Sequence, residues 1–171
     1  ETEICPPPEL EIRTFYFHGD QQLTGSGPLQ EAEPLHFTYD PEDPSPTVGG
    51  KTLNLVLDQG PYDQGPSVES RNDNLIFTSA TLHRDLIVKG SIKIHLHVAS
   101  NRKDTDFAIR LTDVYPDGRS MLLGSAIQRM RFREGYRVGD TTFMKTDEVY
   151  PITLTLDPLA ITFNTGHRLR L

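Results

Sequence analysis

Two histidines, His95 and His97, stand two positions apart in a stretch where Ile92, Ile94, Leu96 and Val98 alternate with polar residues. On a strand both rings project from one face, about 6–7 Å apart along it. Imidazoles so placed suit zinc if a third ligand arrives, such as His83 or a carboxylate. The alternative is a solvated outer face shared with Lys93. Asp104 and Asp106 flank Thr105, with Asp113 and Asp117 downstream. Clustered carboxylates can hold calcium, or they can cap loops and pair with cations. Arg129, Arg131 and Arg133 alternate with Met130 and Phe132. On a strand the three guanidiniums share a face, fit for an anion, for those aspartates or for a neighbouring domain. In all three places caps, ion pairs and solvated faces outweigh the ligand reading, so no metal and no cofactor is assigned.

A nucleophile is harder to find. The Gly-x-Ser-x-Gly turn that lifts a serine off an α/β sheet is absent. Gly25-Ser26-Gly27 and Gly124-Ser125 come nearest, and both lack the flanking pattern. There is no Gly-rich phosphate loop. The single cysteine, Cys5, precedes three prolines and excludes an intrachain disulfide or a Cys-based zinc site. No catalytic residue is assigned. Lys plus Arg is 17 against 24 Asp plus Glu, a net charge of −7. That field has the wrong sign for nucleic acid or an anionic membrane surface. No apolar run approaches the ~20 residues of a membrane helix. The acidic, proline-rich start does not read as a signal peptide, and the compartment is left open.

The elements that must position these side chains are short. Thirteen glycines and thirteen prolines punctuate the 171 residues, leaving little room for helices. The longest stretch free of both, Ser91 to Tyr115, alternates with period two. Strands are expected at Ile12–His18, Leu35–Tyr39, Leu53–Leu57, Leu75–Ser79 and Leu86–Val88. Further strands are expected over Ile92–Val98, from Phe107 on, and over Met121–Arg133. The last three lie at Ile152–Leu156, Leu159–Phe163 and His167–Leu171. Pro116-Asp117-Gly118 is a turn in which proline presets φ and glycine accepts a positive one. Some ten short strands joined by such turns predict an all-β antiparallel sandwich or barrel. Residues 1–10 read as a linker leading into it, and Tyr39 to Gly50 as a long loop stiffened by prolines.

Several segments, in order, resemble one known family. Tyr39-Asp40-Pro41 with Asp43-Pro44-Ser45-Pro46-Thr47-Val48-Gly49-Gly50 is similar to its Tyr-Asp-Pro-x-Asp-Pro-x-Pro-x-x-Gly-Gly signature. Gly60-Pro61-Tyr62-Asp63-Gln64 resembles its Gly-Pro-x-Asp-Gln element. Arg71-Asn72-Asp73 through Thr78-Ser79, Asp104-Thr105-Asp106-Phe107 and Leu111-Thr112-Asp113-Val114-Tyr115-Pro116-Asp117-Gly118-Arg119 continue the series. Arg129 to Glu134 and Gly166-His167-Arg168-Leu169 complete it. The family is the C-terminal, non-catalytic domain of the cocaine-esterase/NonD-type acyl hydrolases, shared with Xaa-Pro dipeptidyl-peptidases and α-amino-acid ester hydrolases.

The resemblance implies one jelly-roll β-sandwich over residues 1–171, similar to galactose-binding domains. It implies as partner an α/β-hydrolase catalytic domain of the same parent chain, carrying the Ser-Asp-His triad, on which this domain packs and whose substrate pocket it partly walls. The corresponding wall positions are Leu53, Asn54 and Leu55, with Val56 beside them. The family's chain continues through a further strand after the segment matching Gly166 to Leu171. That strand is expected to be missing here, which would leave an open edge and a route to homo-oligomers. The competing functions are a stand-alone carbohydrate-binding jelly roll, on fold analogy alone, and a metal-stabilised protein-interaction module. Exposed aromatics favour sugar binding, but the chain has no Trp, although it has six Tyr. The 171-residue chain on its own is predicted not to hydrolyse a p-nitrophenyl ester. Turnover above buffer by the pure chain would contradict that reading.

Overall fold

Pro116-Asp117-Gly118 turns the chain between its two longest strands. Gly118 takes φ +96°, a conformation that a Cβ disfavours. Gly118 N donates to Tyr115 O at 3.0 Å, and Tyr115 N donates to Arg119 O at 2.8 Å. In the computed structural model, which describes residues 10–29, 33–137 and 139–171, the described strands number ten. They are β1 (Tyr16–Phe17), β2 (Gln22–Thr24), β3 (Thr78–Ser79), β4 (Leu86–Gly90) and β5 (Lys93–Val98). Then come β6 (Asp106–Val114), β7 (Ser120–Arg129), β8 (Tyr150–Thr155), β9 (Leu159–Phe163) and β10 (Arg168–Arg170). The only helical pieces among the described residues are a π-turn at Gly65–Glu69 and a 3-10 turn at Met130–Phe132. The chain is all-β, as its alternation implies. Cys5 and the expected linker up to residue 9 lie outside the described residues.

Two compact units form. The first comprises Glu1–Gly90, Arg110–Gly124 and Ala160–Leu171; the second comprises Ser91–Ile109 and Ser125–Leu159. Of a six-stranded sheet in the order β1-β2-β3-β10-β6-β7, the first unit holds β1, β2, β3, β10, Arg110–Val114 of β6 and Ser120–Gly124 of β7, and β4 pairs with β9. β10 lies antiparallel to β6, with Leu169 opposite Asp113 and Arg170 opposite Thr112. The β2–β3 ladder departs from the antiparallel rule: the two strands run parallel, Leu23 opposite Ser79. The buried apolar residues of this unit include Leu23, Leu111, Leu122, Phe163 and Leu169. Phe17 meets Phe77 edge-on at 4.7 Å between ring centroids.

In the second unit β5 and β8 form an antiparallel ribbon, with Ile94 opposite Leu154 and Leu96 opposite Ile152. Period-two alternation puts these four side chains on the inner face. Met130, Met144, Ile152 and Leu154 make the core, with Leu96, Val98, Phe107, Ile109, Ala126 and Tyr150 packed against it. Pro151 sits in β8, on a ribbon with free edges among the described strands, where the missing N–H breaks no ladder bond.

Some expected strands do not form. Leu35–Tyr39 is irregular and exposed. Leu53–Leu57 is a loop because its neighbours capture the backbone. Thr52 Oγ1 accepts from Asn54 N, and Asn54 Oδ1 accepts from Val56 N, at 3.1 and 2.9 Å. Such local bonds replace a ladder. The strand expected over Met121–Arg133 ends at Arg129. There the Met130 N–H is taken by Thr105 O and the Arg131 N–H by Asp104 Oδ1, which folds residues 130–132 into the 3-10 turn.

Core position decides stability. Leu111→Ala, at a side chain 2 % exposed, is expected to cost about 2–5 kcal/mol. Ile87→Ala, at 60 % exposure, should cost roughly 0.5 kcal/mol or less. Urea unfolding midpoints check this, and equal losses would contradict the assignment of the core.

Candidate functional site

Residues 50–60 form a loop closed at its base by two glycines. Gly50 N donates to Gly60 O at 2.8 Å, and Gly60 N donates back to Gly50 O at 3.0 Å. Beside the pair, position 49 has no room for a side chain. A Cβ on Gly49, whose φ is +68°, would collide with Gly60 O and lie 2.9 Å from Tyr62 Cβ. The loop holds its apolar residues outward: Leu53, Leu55 and Val56 are each at least 90 % exposed. Asn54 lies between them, its side chain spent on the turn. Leu53, Asn54 and Leu55, the positions expected to wall a pocket, therefore lie on one solvent-facing loop.

Beneath the neck is a polar knot. Gln64 is fully buried. Its Nε2 donates to Val48 O at 2.8 Å and to Tyr62 O at 3.0 Å, and its backbone N donates to Ser120 O at 2.8 Å. Asp63 Oδ1 accepts from Gly65 N and Ser120 N. Pro66 lies in the first turn of the π-turn, where a missing N–H costs nothing. Ser120 Oγ donates to Glu69 Oε1 at 2.5 Å and lies 2.7 Å from Thr112 Oγ1. The other Glu69 oxygen accepts from Arg170 Nη1 at 2.5 Å, and Arg170 Nε donates to Thr78 Oγ1. One carboxylate thus links the π-turn, β7 and β10.

The proline loop ahead of the neck is pinned by two arginines. Arg71 Nε and Nη2 fork onto Asp73 at 2.8 and 2.7 Å. The same guanidinium reaches Asp43 through its carboxylate and its carbonyl, the latter at 2.6 Å. This explains the Arg-x-Asp element: the acid orients the arginine that holds the loop. The Arg71 hydrogen bonds hold the Asp73 carboxyl below its ordinary range and push the Arg71 guanidinium up. Arg110 donates to Pro46 O at 3.0 Å, and burial pushes its pKa down.

The other sequence candidates disperse. His95 and His97 lie on the exposed face of β5, and His95 Nδ1 is 2.9 Å from Thr153 Oγ1. Among the described residues no three His, Cys, Asp or Glu side chains gather as a metal site. Asp104 and Asp106 receive Arg129 at 2.8 and 2.7 Å, while Asp117 pairs with Arg119. Arg131 adds a weaker 3.5 Å contact to Asp104. Arg133 instead donates to Met130 O and Thr142 O. The three arginines therefore do not share a strand face. Ser26 offers its carbonyl, not its hydroxyl, to Thr24 and His18.

Asp113 turns elsewhere, to the buried His167, whose Nδ1 is 2.9 Å from Asp113 Oδ1. The Tyr115 ring lies against the imidazole, 4.4 Å between centroids. The two form a buried hydrogen bond. Sequence reasoning missed this pair and the Glu69–Arg170 link. The available signal was an acid amid Leu111, Thr112 and Val114, since a buried carboxylate requires a donor.

Because the Asp73 carboxyl is depressed in the folded chain, the stability it adds is complete above its ordinary value of 3.8. It is lost as pH falls below that value and through the folded one. Arg71→Leu is expected to flatten the fall in melting midpoint between about pH 5 and about pH 2.5. An unchanged slope would contradict the role given to the pair.

Comparison with known proteins gives this geometry a family. A family model described as the X-Pro dipeptidyl-peptidase C-terminal non-catalytic domain matches residues 2–171. The chain is 34% identical over 172 residues to the cocaine esterase of Rhodococcus sp. (strain MB1 Bresler), covering 96% of this chain and 29% of that protein. It is similar in fold to a solved α-amino acid ester hydrolase, with TM-score 0.81 and 23% identity over 92% of this chain and 28% of that one. It is likewise similar to an aminopeptidase from a marine sediment Thaumarchaeota archaeon, with TM-score 0.81 and 23% identity over 91% of this chain and 28% of that one. The chain thus spans under a third of the length of these relatives, which are larger chains bearing this region as one part. Matched from residue 2 to its last residue, the chain belongs to the X-Pro dipeptidyl-peptidase C-terminal non-catalytic domain family.

Proposed function

We propose that this chain is the accessory β-domain of a serine acyl hydrolase, packing on an α/β catalytic domain of the same parent chain. In this reading the parent cleaves esters or Xaa-Pro peptides through an acyl-enzyme, and residues 1–171 contribute no reacting group. They supply a wall. The observation that carries the reading is the loop 50–60, with Leu53, Leu55 and Val56 held in solvent by a rigid neck. Three neighbouring aliphatic side chains at full exposure each forgo about 1.5–3 kcal/mol of burial. A loop that keeps them outward fits a surface covered in the parent. Leu53, Asn54 and Leu55 then line the acyl side of the pocket, where aliphatic contacts select acyl groups by size.

The test uses the full-length hydrolase and a series of p-nitrophenyl esters of increasing acyl length. Leu53→Ser with Leu55→Ser is expected to raise KM about tenfold for the longer acyl groups, with kcat for the acetyl ester little changed. A uniform fall in kcat for every ester, or no change in the size profile, would contradict the wall.

A further inference from the structure

We propose that Gln64 is a positioning residue for the substrate pocket, acting through the loop 50–60 without touching substrate. The inference rests on the wall reading above and adds the residue that sets where the wall stands. Gln64 is the last residue of the Gly-Pro-x-Asp-Gln element and is fully buried. Its two amide protons go to two carbonyls placed symmetrically about the neck. Val48 lies two residues before Gly50, and Tyr62 lies two residues after Gly60. One side chain therefore staples both legs of the loop just below the glycine pair. Its backbone N–H ties the same point to Ser120 on β7. The staple is anchored in the sheet at one end and in the loop at the other.

The amide is not there to satisfy itself. Among the described residues, none donates to Gln64 Oε1. An apolar side chain of the same size would fill the space without an orphaned acceptor. What such a residue cannot do is donate to both legs. Without the staple the Tyr62 leg stays tied to β7, because Leu122 N also donates to Tyr62 O at 3.0 Å, but the Val48 leg loses its side-chain tie, and the two backbone bonds between Gly50 and Gly60, residues with little conformational restraint, are left to hold it to that leg at the neck. The apolar tip would then sample positions off the pocket.

The experiment compares Gln64→Leu with the tip variant Leu53→Ser/Leu55→Ser in the full-length hydrolase. It reads the acyl-length profile of KM and amide hydrogen exchange by mass spectrometry. For Gln64→Leu we expect exchange of the 50–60 amides to rise about tenfold against unchanged β7 and β10 amides. KM should shift in the same long-acyl direction as in the tip variant, with acetyl-ester kcat held. Gln64→Asn keeps the amide but shortens its reach by one methylene, so it should give the same pattern at smaller amplitude. It also serves if Gln64→Leu does not accumulate. A tip variant that moves KM beside Gln64 variants that move neither loop exchange nor KM would overturn the staple and leave the wall standing. Faster loop exchange in Gln64 variants, with KM unmoved in both sets, would overturn the wall and with it the positioning role. A parallel rise in exchange across β7, β10 and the loop would overturn the inference by making Gln64 a general core residue.

Discussion

The neck of the loop 50–60 is the constraint on which the rest of the first unit turns. The aliphatic side chains Leu53, Leu55 and Val56 would ordinarily collapse onto the nearest apolar surface. They do not because the legs beneath them are fixed by hydrogen bonds that satisfy the backbone locally. Gly50 and Gly60 exchange two bonds, Gln64 takes one carbonyl from each leg, and Thr52 and Asn54 consume the tip amides. Positive-φ glycines at 49, 50 and 60 make a neck too narrow for a Cβ to enter at position 49.

That neck is in turn held by charge. Arg71 fixes the proline loop through Asp43 and is itself oriented by Asp73. Glu69 joins Ser120 to Arg170 and so ties the π-turn to β7 and β10. The Asp113–His167 bond closes the same sheet where β10 begins, since His167 lies one residue before it and Leu169 pairs with Asp113. These polar links join segments far apart in sequence. Breaking the Asp113–His167 or the Ser120–Glu69 bond would strand a buried group, which costs more than the bond itself contributes.

What the sequence made legible follows from the range of each interaction. The class and most strands came from alternation, a local signal: Ile94 and Leu96 against Lys93, His95 and His97, then Ile152 and Leu154 on the partner strand. The turn at Pro116-Asp117-Gly118 came from backbone chemistry confined to three residues. Alternation misled at Arg129, Arg131 and Arg133, where two captured N–H groups end the strand. It misled again at Leu53–Leu57, where Thr52 and Asn54 outcompete a ladder. The order of the motifs pointed to the family, and the match from residue 2 to 171 shows it. The roles of Gln64, Glu69 and His167 stayed hidden because their partners lie 16, 51 and 54 residues away, a distance over which no periodicity reports.

The central claim is that the apolar tip faces a catalytic domain and not solvent. The most direct measurement places a photoreactive p-benzoylphenylalanine at position 55 of the full-length hydrolase and maps the cross-link by mass spectrometry. The account predicts attachment to peptides of the catalytic domain near its nucleophilic serine, suppressed by an active-site acyl inhibitor. Cross-links confined to residues 1–171, or to a second molecule at a site unaffected by the inhibitor, would contradict it.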